Sequence, residues 1–283
     1  MKLFTNKDIE NYYDQTEVHY KMHWKLEEGL GLHYGIWDEN TKTLAEAVLN
    51  SNYRLMKLGN IQKGDLVLDA GCGVGGSSVY LAKNVGCKVR GITLSAKQVQ
   101  TATGNAQARG VGDLVEFSQQ DYTNTNFPDN TFNFAWCIES METATDKALF
   151  FKEMKRIIKP GGKILVADIF KPEGYDITKE PDMLTMLNGW AMSDILSIEE
   201  LHSTAAQGGF KVAALVDVST NVLKSVKKMY LAGHLGWIGT KAYNLFYNAS
   251  YFSKIHYKTA LAQKKAYDRK KWGYYLVMLE KLA

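Results

Sequence analysis

The stretch LVLDAGCGVGGSSVYLAK, from Leu66 to Lys83, is the part of the sequence that most strongly indicates the fold. An apolar strand runs into Gly71, Gly73 and Gly76 and continues as a helix. Glycines at such a position permit positive φ angles and let a ligand approach the backbone closely. The helix start adds unpaired N–H groups and partial positive charge, which suit a carboxylate or a phosphate. The stretch therefore predicts a ligand-binding turn between a first strand and its helix.

Strands and helices alternate through the middle of the chain. Helical spacing of apolar residues is found in GGSSVYLAKNVG, SAKQVQTATGNAQARGV and DKALFFKEMKRIIKPGG, the last ending at Pro160-Gly161-Gly162. Branched and aromatic residues predict strands at Asp65–Ala70, Cys87–Leu94, Asp113–Asp121, Phe132–Ser140 and Gly162–Phe170. This alternation predicts an α/β fold with a mostly parallel sheet covered by helices.

The rhythm changes after Phe170. A partly helical segment leads to the strand-like KVAALVDVS, then to a long aromatic helical stretch from about Asn221 to Tyr267, and finally to the strand-like WGYYLVMLEK. We predict one domain over 1–283, with an N-terminal helical lid over 1–55 and a cofactor-binding core over 56–170. The remainder of the sheet and a helical substrate cap occupy 171–283.

Composition bounds the class of protein. The chain has 283 residues, 46% of them hydrophobic, which is enough to fill a sizeable core. The three cysteines lack the paired spacing of a disulfide framework or a zinc site, as expected in a reducing cytosol. No signal-peptide-like start and no apolar run of about 20 residues is visible, so we expect a cytoplasmic protein without an integral membrane segment. A homodimer is left open.

The charge pattern does not favour nucleic-acid binding. The net charge of +4 comes largely from the C-terminal third, for example from KKAYDRKKW at Lys264 to Trp272. Such a run is typical of a solvated face, and a nucleic-acid site needs a more concentrated basic footprint. We expect a small molecule, and no nucleic acid, as the partner.

The glycine loop alone leaves three interpretations open. A purely structural turn is one, and a dinucleotide-binding turn with Arg90 near a 2′-phosphate is another. The third is suggested by Asp69, placed before the loop where it could hold an ammonium group, and by Asp121 and Tyr122 after the third strand. Those two residues supply an acceptor for an adenine amino group and an aromatic face for its ring. This set favours a ligand that carries both an ammonium group and adenine.

In these motifs the chain resembles the class I S-adenosylmethionine-dependent methyltransferases. LDAGCGVGG is similar to the family's first motif, QQDYTNTNFPDNTFNFAW to its acidic and fourth-strand motifs, and RIIKPGGKILVADIF to its fifth-strand motif. The resemblance covers about Ile61 to Phe170 in the correct order. It implies a Rossmann-like seven-stranded sheet with helices on both faces, and S-adenosylmethionine as cofactor, with S-adenosylhomocysteine as product. The residues implied at the cofactor are Gly71 and Gly73 at the methionine part, Asp121 and Tyr122 at the adenine, and Ile138 beside them.

A departure from the family pattern narrows the resemblance. The second strand usually ends in an acidic residue for the ribose, whereas this chain reads GITLSAKQ, with Thr93, Leu94 and Gln98. This variant is similar to the tocopherol, sterol and cyclopropane-fatty-acid methyltransferases. LHYGIW resembles the lid segment of the same group, which implies that Tyr34 and Gly35 contact the cofactor.

The loop after the fourth strand, CIESMETATDK, is where we expect the acceptor chemistry, because it opens at the carboxyl edge of the sheet. Glu139 and Glu142 are three residues apart and either could take a proton or stabilise a cation. Glu139 matches a glutamate of the sterol enzymes, and Glu142 could instead cap the next helix. Many relatives carry a histidine where this chain has Thr143, which argues against a histidine mechanism there.

No metal site is expected. His19 and His23 are four apart on a predicted helix, which is a metal-ligand spacing, but the sequence offers no third ligand and favours surface histidines.

Three functions are compatible with these residues. The favoured one is methyl transfer to a small, apolar acceptor such as a prenyl lipid, a sterol-like terpenoid or a quinone. The alternative is N- or O-methylation of a small polar metabolite, because cap sequences diverge freely on a shared core. An NADP-linked oxidoreductase or a non-catalytic nucleotide-binding protein is disfavoured by Asp69 and by the Asp121-Tyr122 pair.

Overall fold

The computed structural model describes residues 2–23, 29–246 and 251–282. Its centre is a seven-stranded sheet in the order β3-β2-β1-β4-β5-β7-β6. The first five strands pair in parallel, and β7 is antiparallel to β5 and β6. The strands are β1 (Leu66–Ala70), β2 (Lys88–Thr93), β3 (Val115–Gln119), β4 (Phe132–Ile138), β5 (Ile158–Phe170), β6 (Phe210–Asp217) and β7 (Gly273–Lys281). The predicted Rossmann-like α/β fold is confirmed.

Several helices begin where the sequence supplies side-chain caps. Thr43 and Glu46 form a capping box at the start of α2, Ser197 and Glu200 form another at α7, and Asp146 accepts two N–H groups of α5. The helices are α1 (Asn6–His23), α2 (Leu44–Gly59), α3 (Gly76–Val85), α4 (Ala96–Ala108), α5 (Lys147–Ile157), α6 (Pro181–Gly189), α7 (Ile198–Gln207), α8 (Leu223–Phe246) and α9 (Tyr251–Asp268).

Both faces of the sheet are buried. One core contains Leu81, Trp136 and Tyr274, and the other contains Phe132 and Phe150, all fully or almost fully buried. A strand that is covered on both faces has no solvent side, so β1 and β4 are apolar along most of their length.

The order in which strands are added to the sheet changes sides at β1. From β1 the strands proceed outward to β2 and β3, and the chain then returns to add β4 and β5 on the other side of β1. In open parallel sheets the crevice at such a switch point, outside the carboxyl ends of the strands, is where ligands bind. The loops that follow β1 and β4 therefore define the candidate site.

The fifth strand begins earlier than the sequence predicts. Pairing with β4 starts at Phe132 with Ile158 and then jumps to Phe134 with Lys163, so the intervening residues form an irregularity. Gly161 has φ +73° within it. Helix α5 does end just before Pro160-Gly161-Gly162. The chain, however, already pairs with β4 at Ile158, ahead of these three residues.

Helices α6, α8 and α9 form a helical cap, in the part of the chain for which a substrate cap is predicted. Helix α9 packs against both α6 and α8, and α1 packs against α9. None of the helices in the described ranges is long and apolar enough to cross a membrane. Cys72, Cys87 and Cys137 are buried and unbridged.

Candidate active site

A pocket lies at the carboxyl ends of β1, β2 and β4, between the sheet and α1. Ten of the sequence-predicted site residues line it, although they come from five separate parts of the chain. They are Tyr34, Asp69, Gly71, Gly73, Thr93, Leu94, Gln98, Tyr122, Ile138 and Glu139. The remaining three, Gly35, Asp121 and Glu142, are not among the lining residues.

The two predicted loop glycines have different surroundings. Gly71 has φ +95°, and a Cβ there would lie 2.5 Å from the Cβ of Ser140, so this glycine permits close packing of β1 against the loop after β4. Gly73 has φ +52°, and a Cβ there would have Leu32 Cδ1, at 3.8 Å, as its nearest neighbour. The space beyond Gly73 is therefore open to the pocket, as a backbone cradle for a ligand requires.

Asp69 supplies a buried carboxyl next to this cradle. Its side chain is 2% exposed and accepts a 2.6 Å hydrogen bond from the Ser78 hydroxyl. Burial raises the pKa of Asp69 to about 6, against the lowering effect of the Ser78 hydrogen bonds. A cationic group in the pocket would favour the ionised carboxylate, so Asp69 is suited to an ammonium group.

Neutral polar groups occupy the end of β2, where an acidic residue would otherwise stand. Thr93 donates a 2.6 Å hydrogen bond to Gln98 Oε1, and both side chains are buried. The Ser95 hydroxyl accepts from Gln98 N–H at the start of α4 and donates to Asp14 of α1 at 2.6 Å. This network fixes Thr93 and Gln98 at the pocket wall and connects it to α1.

Asp121 is placed differently from its predicted role at the adenine. One oxygen accepts hydrogen bonds from Thr123 N–H (2.8 Å) and Thr123 Oγ1 (2.7 Å), and the other accepts from Asn6 Nδ2 of α1 at 2.6 Å. The residues on either side, Gln120 and Tyr122, do line the pocket. Recognition of an adenine amino group by Asp121 stays a prediction; its carboxylate, with three hydrogen bonds accepted, has room for one more.

Tyr122 presents its ring to the pocket and its hydroxyl to the protein. The hydroxyl donates to the Ser140 carbonyl at 2.9 Å, and the ring lies edge-on to Phe150. Burial raises the pKa of Tyr122 above its ordinary value. The side chain is thus a neutral aromatic wall, in keeping with the role that the sequence predicts.

Glu139 is the carboxyl that the structure places in the pocket immediately after β4. It has φ +50°, unusual for a residue with a side chain. Its Oε1 atom accepts 2.7 Å hydrogen bonds from Tyr34 N–H and from the Tyr274 hydroxyl. Burial raises the pKa of Glu139 to about 7, and these hydrogen bonds oppose the rise. A group with this pKa exchanges protons near neutral pH, as a general base must.

Glu142 lies behind the pocket wall. It sits in a short 3-10 turn, and its Oε2 atom accepts from Leu196 N–H at 3.1 Å and lies 3.4 Å from Lys147 Nζ. The cap of the following helix is Asp146, so the alternative that Glu142 caps this helix is wrong. Burial raises the pKa of Glu142 to about 7, opposed by Lys147. These contacts join the loop after β4 to the chain before α7.

Gly35 and its neighbours form a fixed segment. A Cβ at Gly35 would lie 2.5 Å from Ala47 Cβ, so the glycine permits close packing on α2. Gly35 N–H donates to the Ser225 hydroxyl of α8 at 3.1 Å, and Trp37 N–H donates to the Asn221 carbonyl at 2.9 Å. The 33–37 segment is therefore anchored at both its α2 and its α8 side.

Three lining or supporting residues were missed by the sequence interpretation. Asp168, near the end of β5, is 1% exposed, lines the pocket and accepts hydrogen bonds from the N–H groups of Glu142 and Ile169. His33 also lines the pocket, and burial lowers its pKa to about 4. Tyr274 reaches Glu139 from β7. Asp168 could have been recognised from the sequence as an acidic residue within the apolar run of β5. The contact of Tyr274 with Glu139 could not, because it depends on the order of the strands in the sheet.

No cluster of three or more metal-ligating side chains occurs within residues 2–23, 29–246 and 251–282. The side chains of His19 and His23 fall outside the described part of the chain.

The family comparison matches residues 68–166 to a model described as a methyltransferase domain. The 27-O-demethylrifamycin SV methyltransferase of Amycolatopsis mediterranei is 29% identical over 192 residues, covering 68% of this chain and 70% of that protein. The 2-methyl-6-phytyl-1,4-hydroquinone methyltransferase of Synechocystis is 37% identical over 146 residues, covering 50% of this chain and 45% of that protein.

Among solved structures, the cyclopropane synthase MmaA2 of Mycobacterium tuberculosis has a TM-score of 0.82 at 16% identity, covering 99% of this chain and all of that one. At that identity the likeness shows the fold. The matched domain spans β1 to β5, including the glycine loop and the loop that carries Glu139. The open cradle at Gly73 and the buried Asp69 fit the methionine part of the cofactor. Residues 68–166 thus form a methyltransferase domain, and the chain is similar to S-adenosylmethionine-dependent methyltransferases with a Rossmann-like fold.

Proposed function

We propose that the enzyme methylates a small, predominantly apolar acceptor such as a prenyl lipid, a sterol-like terpenoid or a quinone. The observation that carries the proposal is the composition of the pocket lining. Aliphatic, aromatic and thioether side chains predominate there, among them Leu32, Ile138, Ile169, Trp190, Met192 and Met229. Such a wall excludes water and gains free energy by covering an apolar molecule.

Bound S-adenosylmethionine supplies a methyl group on a positively charged sulfur, which is already a strong electrophile. The protein has to orient the acceptor, exclude water and manage one proton. Gly73 and Asp69 would hold the methionine part, Thr93 and Gln98 the ribose, and Tyr122 the adenine ring. These assignments extend the sequence predictions and rest on the lining of one pocket.

Glu139 is the residue that we assign to the proton. It faces the pocket, it has a pKa of about 7, and two donors fix the position of its Oε1 atom. In its ionised form it can accept a proton from a carbon or oxygen acceptor, or stabilise positive charge on an alkene acceptor. Glu142 is assigned a structural role, because its carboxyl contacts Lys147 and Leu196 instead of the pocket.

Comparison of two substitutions tests this assignment. Glu139→Gln keeps the shape but removes the base, so turnover should fall by about 100-fold or more while S-adenosylhomocysteine still binds. Glu142→Gln is the matched control and should lower stability while turnover per folded molecule stays near normal. Near-normal turnover of Glu139→Gln would contradict the assignment.

The acceptor class is tested with methyl-labelled cofactor and a panel of acceptors. We expect product with a prenylated hydroquinone or a sterol-like terpenoid, in line with the phytyl-hydroquinone named for the Synechocystis relative. Product formation only with polar amines or polar alcohols would overturn the proposal. Mass spectrometry of the product identifies the methylated atom.

O-methylation of a larger, partly polar acceptor is the second candidate. It is favoured by the relative named for 27-O-demethylrifamycin SV, which spans more of this chain than the hydroquinone enzyme does. Glu139 could take a hydroxyl proton equally well. The NADP alternative is disfavoured, because Asp69, Glu139 and Asp168 place three carboxyls around a pocket that would have to hold phosphates.

A further inference from the structure

Basic residues are concentrated in the part of the cap that contains α8 and α9. The net charge of the whole chain does not reveal this concentration. Residues 221–271 contain eleven lysines and arginines and one acidic residue, Asp268, giving this segment +10. The complete chain has +4, so the remainder has −6. The cap therefore carries a charge opposite in sign to the rest of the molecule.

The charges of α9 near its C-terminal end are largely neutralised by ion pairs. Lys264 pairs with Asp268, and Arg269 pairs with Asp182 at the start of α6. Lys271 lies 3.5 Å from Glu180. Three basic residues at this end are thus paired within the protein, whereas Lys265 and Lys270 are exposed and have no described ion pair.

The first turns of α8 are different. Lys224, Lys227 and Lys228 are exposed, and none of them has a described acidic side chain within ion-pair distance. Leu231 and Leu235 continue the row and are 61% and 60% exposed. At 100° per residue these five positions fall on one side of the helix. We call them the α8 stripe.

The α8 stripe is separated from the buried side of the same helix. Val226 and Ser225 are fully buried, and Met229 reaches the active-site pocket. Lys224 and Lys228 have their Nζ atoms 5.2 and 5.9 Å from the centre of the buried Trp37 ring. The Trp37 ring thereby holds the ammonium groups of these two lysines next to the exposed leucines.

We propose that the α8 stripe docks the enzyme on an anionic lipid membrane surface. Positive charge at one end of a helix face and exposed leucines on the same face are what an interfacial helix uses: the lysines attract anionic headgroups and the leucines enter the acyl boundary. A polyanion such as nucleic acid would use the lysines alone and would leave the leucines in water. The membrane therefore accounts for both halves of the stripe.

Docking by the α8 stripe would place the pocket close to the bilayer. Met229 lines the pocket from the inner side of α8, and a helix with its side chains is about 10 to 12 Å across. An apolar acceptor dissolved in the membrane would then have a short path to the pocket wall. The inference about docking does not depend on the identity of the acceptor.

Vesicle sedimentation with the full chain tests the proposal. We expect binding to vesicles of phosphatidylcholine mixed with phosphatidylglycerol, much weaker binding to phosphatidylcholine alone, and loss of binding as the salt concentration rises. Lys224→Gln/Lys227→Gln/Lys228→Gln should weaken binding by about 100-fold, about fivefold for each lysine. Leu231→Ser/Leu235→Ser should weaken it by at least about tenfold while keeping the charge.

The matched control is Lys63→Gln/Lys83→Gln/Lys88→Gln, which removes the same charge from exposed sites on the core, away from the cap. It should bind vesicles as the unaltered chain does. Equal loss with the control variant, or no loss with the leucine variant, would overturn the proposal. So would binding of a DNA duplex that matches vesicle binding and is unaffected by the leucine substitutions. Methyl transfer to a water-soluble acceptor should be unchanged in all three variants.

Discussion

Gly71 and Gly73 lie two residues apart in the loop after β1 and serve different partners. A side chain at Gly71 would meet Ser140 at 2.5 Å, whereas one at Gly73 would enter the pocket. We expect Gly73→Ala to weaken S-adenosylhomocysteine binding by more than about tenfold, or about 1.4 kcal/mol, with a stability loss limited to the cost of positive φ.

Gly71→Ala is the comparison for that substitution. It adds a collision inside the protein to the same backbone strain, so the free energy of unfolding should fall further than in Gly73→Ala. Calorimetric titration and denaturant unfolding of both variants separate the two effects. Equal cofactor affinity of Gly73→Ala and the unaltered chain would contradict the assignment of Gly73 to the ligand cradle.

Tyr274 acts on the pocket through Glu139 and is therefore a positioning residue. Its hydroxyl donates to Glu139 Oε1 at 2.7 Å, which lowers the pKa of Glu139 relative to burial alone. Tyr274→Phe should raise this pKa, so the acid limb of the pH–kcat profile should move to higher pH. A purely structural role would lower kcat at all pH values without moving the limb.

Glu139 also makes stability depend on pH. Its pKa rises from 4.5 in the unfolded chain to about 7 in the fold, so between these values the folded state keeps a proton that the unfolded state has lost. Its contribution to the free energy of unfolding therefore decreases as pH rises through this window and is constant above it. The total decrease is about 3 kcal/mol.

Denaturant unfolding between pH 5 and pH 8 measures this effect. Glu139→Gln cannot titrate and should lose less stability over that range than the unaltered chain. The exposed Glu39→Gln is the control and should follow the unaltered chain. Parallel pH curves for Glu139→Gln and the unaltered chain would show that Glu139 is not responsible.

At the scale of elements, α1 and the 33–37 segment are two distinct parts of the N-terminal region. Helix α1 is joined to the pocket rim by side-chain hydrogen bonds, Asn6 to Asp121 and Ser95 to Asp14, and it packs on α9 through buried Ile9 and Tyr12. In the 33–37 segment, by contrast, Tyr34 N–H and Ile36 N–H are buried and bonded to the core. We therefore expect the lid to consist of α1, which side chains hold at the rim, and not of the 33–37 segment, whose backbone is bonded to the core.

Hydrogen exchange tests this division within a single sample. S-adenosylhomocysteine should slow amide exchange in α1, because ligand contacts hold the helix closed. Exchange in the 33–37 segment should already be slow without ligand and should change little. Exchange in α1 that is the same with and without ligand would contradict the lid assignment.

The positions of strands could be predicted from the sequence more accurately than the contacts between distant parts of the chain. The strands β1 to β4 were predicted to within about two residues at each end, because branched residues and glycine turns are local signals. The early start of β5 was missed, since Pro160 and Gly161 are local breakers that only pairing with β4 overrides. The anchoring of the 33–37 segment was missed because its partners are as distant as Ser225.

At the scale of the whole molecule, the site depends on contacts that cross the sheet. The glycine loop, Asp69 and Glu139 follow strands in sequence motifs and could be predicted. Tyr274 could not, because it reaches Glu139 only through the insertion of β7 antiparallel to β5. Likewise, Glu142 was predicted beside Glu139 by spacing, but its carboxyl contacts Leu196 and Lys147, which are distant or later in the chain.

Cofactor binding should stabilise the complete fold, because the pocket joins the loops of the sheet to α1. At a concentration 100 times its Kd, a ligand that binds only the folded state adds about 2.7 kcal/mol. For a chain of this size that corresponds to a rise in Tm of about 5 to 10 °C. We expect this rise with S-adenosylhomocysteine. NADP should give none, because its phosphates would face the carboxyls of Asp69, Glu139 and Asp168. A larger rise with NADP than with S-adenosylhomocysteine would contradict the way in which these residues are assigned to the cofactor.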